Sequence, residues 1–221
     1  MHKINILIYG ATGSIGDSTL SLIRNNKELF NIAGLTCNSN IQKLIDISKE
    51  FNCENLGVNN ESSIQNYPEI NNFNIHIGLK NFSNLLNENV DIIIFAISGS
   101  APLNLLMEIA DCGKIIGLAN KECIICLGKI FLNAVTKSST KIIPLDSEHN
   151  AIFQLINNKK KKYIRKFTLT ASGGHFYNYS KFDLKKITVD QATSHPKWKM
   201  GKKISVDSST LMNKGLEIIE A

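Results

Sequence analysis

The segment that most constrains the fold is Ile4-Asn5-Ile6-Leu7-Ile8-Tyr9, followed at once by Gly10-Ala11-Thr12-Gly13-Ser14-Ile15-Gly16. An apolar, β-branched run predicts a strand, and Leu20, Leu22 and Ile23 after the glycines predict a helix. Strand, glycine-rich turn and helix together open a dinucleotide-binding unit. Glycines let the backbone turn tightly and approach a pyrophosphate, and the amides at the following helix N-terminus then hold the anion. The spacing is G-x-x-G-x-x-G rather than the commoner G-x-G-x-x-G. A purely structural strand-to-helix turn is the competing reading.

The alternation continues down the chain. A second strand over Ile32 to Cys37 ends in Asn38-Ser39-Asn40. An acidic residue at this strand end would bind the ribose hydroxyls of NAD. None is present, which favours a 2′-phosphate and hence NADP. No Arg or Lys occupies the tip either, and Lys43, one helical turn on, is the nearest cation. Beyond it the pattern predicts a helix over 41–51 and strands near 55–58, at Ile75 to Ile77 and over Val90 to Ile97. It then predicts a helix over Leu103 to Ala110, a strand over Lys114 to Ala119, a helix over 122–136 and a strand over Lys141 to Pro144. Strands alternating with helices predict an α/β fold with a Rossmann-like, doubly wound parallel sheet, which binds ligands beyond the carboxyl ends of its strands. Gly10 to Gly16, Ser98 to Ser100, Asn120-Lys121-Glu122 and Asp146 to His149 all fall at such ends. Their shared placement argues for one site.

Asp146-Ser147-Glu148-His149 supports two readings. On extended backbone the two carboxylates would point the same way, about 7 Å apart, and could share a divalent cation. Equally, Asp146 or Ser147 could cap the helix that Ala151, Ile152, Leu155 and Ile156 suggest, with Glu148 complementing its dipole. After 146 the character changes. Ile164 to Thr170 reads as a strand leading to Ala171-Ser172-Gly173-Gly174, where backbone amides could form an anion nest or a plain turn. His195-Pro196-Lys197-Trp198-Lys199-Met200-Gly201 suits either a lid or a loop anchored by its aromatic side chain. Thr210 to Ala221 reads as a helix with Leu211, Met212, Gly215, Leu216, Ile218 and Ile219 on one face. Asn213, Lys214 and Glu217 lie on the other, as a solvated face with an i,i+3 pair or as part of a site. Ser208 is placed as a cap at that helix start, where its hydroxyl and neighbouring amides would meet an anion.

Composition narrows the function classes. With 221 residues, 43% of them hydrophobic, the chain can bury a sizeable core. A net charge of +6 suits phosphate-bearing ligands. The Lys159 to Lys162 run has no interleaved aromatics and reads as a solvated turn, so nucleic acid is not expected. No apolar run reaches 18 residues and no signal peptide is recognisable, so neither a membrane nor export from the cytoplasm is expected. Five scattered cysteines read as reduced core thiols; Cys123 and Cys126 have no second pair to complete a zinc site.

Five motifs occur in order: Gly10 to Gly16, Leu118-Ala119-Asn120-Lys121-Glu122, Pro144 to His149, Thr170 to Gly174, and the long stretch from His195 to Glu217. Together they resemble the 1-deoxy-D-xylulose 5-phosphate reductoisomerase family over the whole chain. The resemblance implies an NADPH-binding domain over 1–146 and the first, incomplete part of an α+β catalytic domain over 147–221. It implies cofactor contacts from Thr12, Gly13, Ser14, Ile15, Asn40, Asn120 and Glu122. It places Mg²⁺ or Mn²⁺, with Co²⁺ as a further candidate, on Asp146, Glu148 and Glu217. Ser172, Ser208, Asn213 and Lys214 would hold the phosphate of a small sugar phosphate, and Lys121, Ser147 and His195 would contact the substrate, with Trp198 on the lid. Lys121, Glu148 and His195 would serve the chemistry. That chemistry is isomerisation and NADPH-dependent reduction to 2-C-methyl-D-erythritol 4-phosphate, in non-mevalonate isoprenoid precursor synthesis.

Two departures bear on this. Ser39 stands where the family usually has Lys or Arg, and His175 where proline is usual. The chain also stops inside a helical pattern, and family members continue through dimerisation strands and a C-terminal helical domain. The expectation is therefore a piece of a cytoplasmic homodimeric enzyme, or of a plastid-type one if the source is eukaryotic. The alternatives are another NADP-dependent dehydrogenase working without metal and a non-catalytic nucleotide-binding domain.

Overall fold

The computed structural model describes residues 3–156, 161–171, 174, 176–194 and 201–220. It divides into two compact units, Met1–Asp146 and Ser147–Ala221.

The first unit is built on a seven-stranded sheet. Its strands are β1 (Ile4–Tyr9), β2 (Phe30–Cys37), β3 (Asn55–Val58), β4 (Asn74–Ile77), β5 (Ile92–Phe95), β6 (Ile115–Leu118) and β7 (Lys141–Pro144). Their order is β4-β3-β2-β1-β5-β6-β7 and every pair is parallel. The chain winds outward from β1 to β4, returns to β5 beside β1, and winds outward again to β7. The order reverses between β1 and β5, where ligands of such sheets bind.

Burial on both faces explains the apolar first strand. Successive side chains point to opposite faces. Ile6 and Ile8 join one core cluster with Leu20, Ile23, Leu44 and Ile45. Leu7 and Tyr9 join the other with Leu106, Ile109, Ile116 and Phe131. The first cluster draws on α1 (Ser14–Arg24) and α2 (Ile41–Phe51). The second draws on α3 (Leu103–Ile109) and α5 (Lys129–Ser138). Each fully buried side chain of this size contributes about 1.5–3 kcal/mol.

The glycines of the first turn differ in what they permit. Gly10 has φ +86, and a Cβ there would lie 2.8 Å from the Ala96 carbonyl oxygen. Gly16 sits inside α1, and a Cβ there would lie 2.6 Å from the Gly10 oxygen and the Ala11 carbonyl carbon. Thr36 supports the same turn from β2: its Oγ1 accepts from Gly10 N at 2.9 Å and its carbonyl from Ala11 N at 2.8 Å.

Four local expectations are revised. The helix expected over 122–136 is two helices, α4 (Lys121–Leu127) and α5, broken at Gly128 with φ +48, a conformation that favours glycine. The strand expected over 90–97 is regular only over Ile92–Phe95, with single bonds from Asp91 N and Ala96 N extending it. Three cysteines are buried as expected, but Cys126 is exposed and Cys112 intermediate; all five are free. Residues 164–170 form no strand, and no strand lies among the described residues of the second unit to pair with them. Phe167 there is 57% exposed.

Among the described residues of the second unit the α-helices are α6 (Ser147–Ile156), α7 (Lys181–Leu184), α8 (Val189–Thr193), α9 (Lys202–Ser209) and α10 (Met212–Glu220), joined by irregular segments. Thr188 and Gln191 form a reciprocal capping box on α8. The two faces of α10 divide as the periodicity predicts, but their burial is reversed. Leu211 just before it and Met212, Ile218 and Ile219 within it are exposed, whereas Glu217 is completely buried.

The close approach at Gly16 makes a prediction. Gly16→Val is expected to destabilise the first unit by about 1–3 kcal/mol through overpacking against backbone that cannot move aside. A melting curve should show Tm lowered by about 2–10 °C. Gly215, in open space on α10, should respond oppositely: Gly215→Ala adds up to about 1 kcal/mol of helix propensity.

Candidate active site

In the first unit a cavity of about 350 Å³ opens at the carboxyl ends of β1, β2 and β5. That volume falls within the range of small-molecule sites, about 300–1,000 Å³. Gly10, Thr12 and Gly13 line it from the first turn, Thr36, Cys37 and Asn38 from β2, and Ala96, Ile97 and Ser98 from the end of β5. Leu79 and Phe82 give it an apolar wall. Its lining carries no carboxylate.

Of the residues expected to meet a cofactor, Thr12 and Gly13 line this cavity. Ser14 and Ile15 open α1 beside it, both exposed. Asn40 is the cap of α2, its side chain accepting from Lys43 N at 3.3 Å. Asn120 is 2% exposed and its amide is committed to the fold. Nδ2 donates to the Ile97 and Gly99 carbonyls at 2.6 and 2.7 Å, and Oδ1 accepts from Cys123 N at 2.7 Å. It caps α4 and pins the loop after β5, so it shapes the cavity through backbone. Glu122 lies in the first turn of α4 and is part-exposed. Thr36, Asn38 and Asn59 line the cavity as well. The β2 motif pointed to its strand end, but nothing local marked Asn59, which β3 delivers beside Asn38; their side chains bond at 2.8 Å.

At the carboxyl ends of β6 and β7, Lys121 Nζ lies 2.7 Å from Asp146 Oδ2. Both side chains are nearly buried, 8% and 11% exposed. An ion pair so sheltered from water is costly to break. Asp146 immediately precedes the first residue of α6, the position of a cap, while its carboxylate serves Lys121.

In the second unit, α10 carries a polar cluster on its buried face. Lys214 Nζ donates to Glu148 Oε1 at 2.9 Å and to Glu217 Oε2, and Asn213 Nδ2 donates to Glu217 Oε1 at 2.6 Å. The Glu148 and Glu217 carboxylates offer oxygens within 4.8 Å of each other. One ammonium thus serves two carboxylates, Glu217 on its own helix and Glu148 on α6, 66 residues before Lys214 in sequence. Burial pushes the Glu148 carboxyl up, but hydrogen bonds from Ser147 Oγ and Lys214 outweigh it and hold it below its ordinary value. Burial likewise pulls Lys214 down, and Glu217 and Glu148 more than reverse it. His149, buried beneath, stands 2.9 Å from the Glu217 carbonyl oxygen and 3.0 Å from Glu220 Oε2, so α6 is tied to α10 where Glu217 sits. The residue order gives His149, between Glu148 and Asn150, no role of its own and does not single out Glu220, because their meeting depends on how α6 and α10 pack.

Ser208 departs from its expected place. It lies near the end of α9, not at the start of α10, and the chain turns between them at Leu211 with φ +61. Gly174, at φ +69, packs against the Ser208 carbonyl, where a Cβ would come within 2.6 Å. Ser208 thus has no helix N-terminus to lend an anion. Ser147 is the exposed first residue of α6. Ser172, His195 and Trp198 lie outside the described residues.

Comparison with known proteins shows the family. The family model described as 1-deoxy-D-xylulose 5-phosphate reductoisomerase matches residues 6–128, and that of the same enzyme's C-terminal domain matches 142–221. A 1-deoxy-D-xylulose 5-phosphate reductoisomerase of Wolbachia pipientis subsp. Culex pipiens (strain wPip) is 44% identical over 225 residues, covering 100% of this chain and 57% of that protein. A crystal structure of DOX-P reductoisomerase in complex with NADPH, fosmidomycin and magnesium superposes with a TM-score of 0.88 at 37% identity, over 99% of this chain and 57% of that one. The Zymomonas mobilis reductoisomerase in complex with NADPH gives a TM-score of 0.87 at 35% identity, over 100% and 57%. The chain thus spans little more than half the length of these relatives. With two family models matching in sequence order and the same fold over its whole length, the chain belongs to the 1-deoxy-D-xylulose 5-phosphate reductoisomerase family.

Proposed function

We propose that the chain is the NADPH-binding part and the first portion of the catalytic part of a metal-dependent reductoisomerase. The enzyme would convert 1-deoxy-D-xylulose 5-phosphate to 2-C-methyl-D-erythritol 4-phosphate, in non-mevalonate isoprenoid precursor synthesis, as a cytoplasmic homodimer. One observation carries the reading: Glu148 and Glu217 converge on a single cation, the Lys214 ammonium. Two buried-side carboxylates arranged so can equally accept a hard divalent ion, and Asp146, two positions before Glu148, would be the third oxygen donor. Mg²⁺ or Mn²⁺ fits this donor set, and Co²⁺ is a further candidate.

The relatives crystallised with NADPH and magnesium support both groups. The cavity of the first unit fits the nucleotide, because Gly10 and Gly16 keep Cβ atoms out of the turn and the start of α1 presents free amides. Thr12, Gly13, Ser14 and Ile15 would hold the pyrophosphate, with Asn40, Asn120 and Glu122 around the rest of the cofactor. A divalent ion, when bound, would polarise the substrate's carbonyl and hydroxyl oxygens as a Lewis acid. Glu148 would be ready for it, since the Ser147 and Lys214 hydrogen bonds favour its charged form. Lys214, released from the two carboxylates, would turn to the substrate phosphate, assisted by Asn213, Ser208 and Ser172. Lys121, Ser147 and His195 would orient the sugar, and Trp198 would close over it. Hydride from NADPH would reduce the rearranged aldehyde.

Two experiments test this. In a protein of the relatives' full length, NADPH oxidation should require both the sugar phosphate and Mg²⁺ or Mn²⁺; undiminished oxidation in EDTA, or none at all, would sink the assignment. The 221-residue chain alone should show weak or no turnover. Independently of activity, Mn²⁺ titration of this chain by electron paramagnetic resonance should detect one site, weakened about tenfold or more by Glu217→Gln. An unchanged Mn²⁺ affinity would remove Glu217 from the metal set.

A further inference from the structure

We propose that Lys43, on the first turn of α2, is the residue that makes the cavity of the first unit select a nucleotide bearing a 2′-phosphate. The proposal rests on reading that cavity as a dinucleotide site. It assigns the discrimination to a residue outside the β2 turn, where such a cation is ordinarily sought.

An NAD-type site would place a carboxylate at the end of β2 for the ribose hydroxyls. Here the strand ends in Asn38-Ser39-Asn40. Asn38 lines the cavity and its Oδ1 accepts from Asn59 Nδ2 at 2.8 Å. The end of β2 is therefore neutral, and nothing in it repels or attracts a phosphate by charge.

Lys43 supplies the missing charge from α2. Its Nζ donates to the carbonyl of Thr12, a cavity-lining residue, at 3.1 Å. The same nitrogen pairs with Asp17 Oδ2 at 2.7 Å, the side chains being 35% and 54% exposed. Ion pairs that open to water are weak and readily exchanged. A phosphate offers more charge and three acceptor oxygens, so it competes well with a single exposed carboxylate. The eleven-residue α2 also begins here, and its positive end adds to the attraction. Asp17 is the opposing group: it holds Lys43 back and itself repels a phosphate.

The test is direct binding of NADPH and NADH to the 221-residue chain, read by nicotinamide fluorescence with no turnover required. The wild type should bind NADPH more tightly. Lys43→Ala should weaken NADPH about tenfold, the weight of one charge-assisted hydrogen bond, and leave NADH within about twofold. Lys43→Arg should keep the preference, and Asp17→Asn should strengthen NADPH alone. Adding Ser39→Lys to Lys43→Ala should restore the preference by returning a cation to the turn. An unchanged NADPH-to-NADH ratio in Lys43→Ala would overturn the proposal. Equal weakening of both nucleotides would overturn it too, since Lys43 would then merely hold the Thr12 turn. Failure of the wild type to bind either nucleotide would instead strike the dinucleotide reading itself, and this proposal with it.

Discussion

Burial of β1 on both faces is the constraint on which the first unit depends. A strand with Ile6 and Ile8 in one core and Leu7 and Tyr9 in the other must lie between two helical layers, with strands on both sides. The topology follows. The chain leaves β1 in one direction, returns to its other edge at β5, and leaves a cleft where the two directions part. Gly10 and Gly16 then let the turn after β1 sit close against Ala96 and Ala11. The cavity is the consequence of that close approach, and Asn120 keeps its far wall in place by holding the Ile97 and Gly99 carbonyls.

The second unit obeys a different rule. Its described core is poor in large apolar side chains; Phe176 is its one buried hydrophobe among the described residues. What α10 buries is a charge network. A carboxylate with no exposed surface is tolerable only with donors around it, and Glu217 has Asn213 and Lys214. Such networks are costly to leave half satisfied. The arrangement therefore holds Asn213, Lys214, Glu217 and Glu148 in defined positions.

Much of this was legible in the residue order. The strands near 55–58 and 141–144 and the helix over 41–51 appear where the periodicity places them. Hydrophobic period and glycine spacing are local properties, and a parallel sheet buried on both faces turns them into a fold with little ambiguity. The misreadings have equally local causes. Gly128 looked tolerable inside a helix, but its positive φ ends one helix and starts another. Residues 164–170 have the composition of a strand, yet a strand needs a partner, which no property of the segment itself supplies. Ser208 reads as a cap of the last helix but belongs to α9, because the turn at Leu211 that separates the two helices has no glycine or proline to mark it.

By itself, the sequence determined the α/β class, the glycine-rich turn, the absence of an acid after β2, and the identity of the acidic and basic residues of the second unit. Those depend on backbone conformational limits, alternation and side-chain chemistry, all readable along one dimension. Which face of α10 is buried was decided only in three dimensions. Periodicity separates two faces but cannot say which one meets protein, and the apolar face was the natural choice. The tertiary structure chose the polar one because Lys214 finds Glu148 on a helix 66 residues away. Desolvated charges are stable only when opposite charges and donors arrive together, and their arrival is a property of the folded chain.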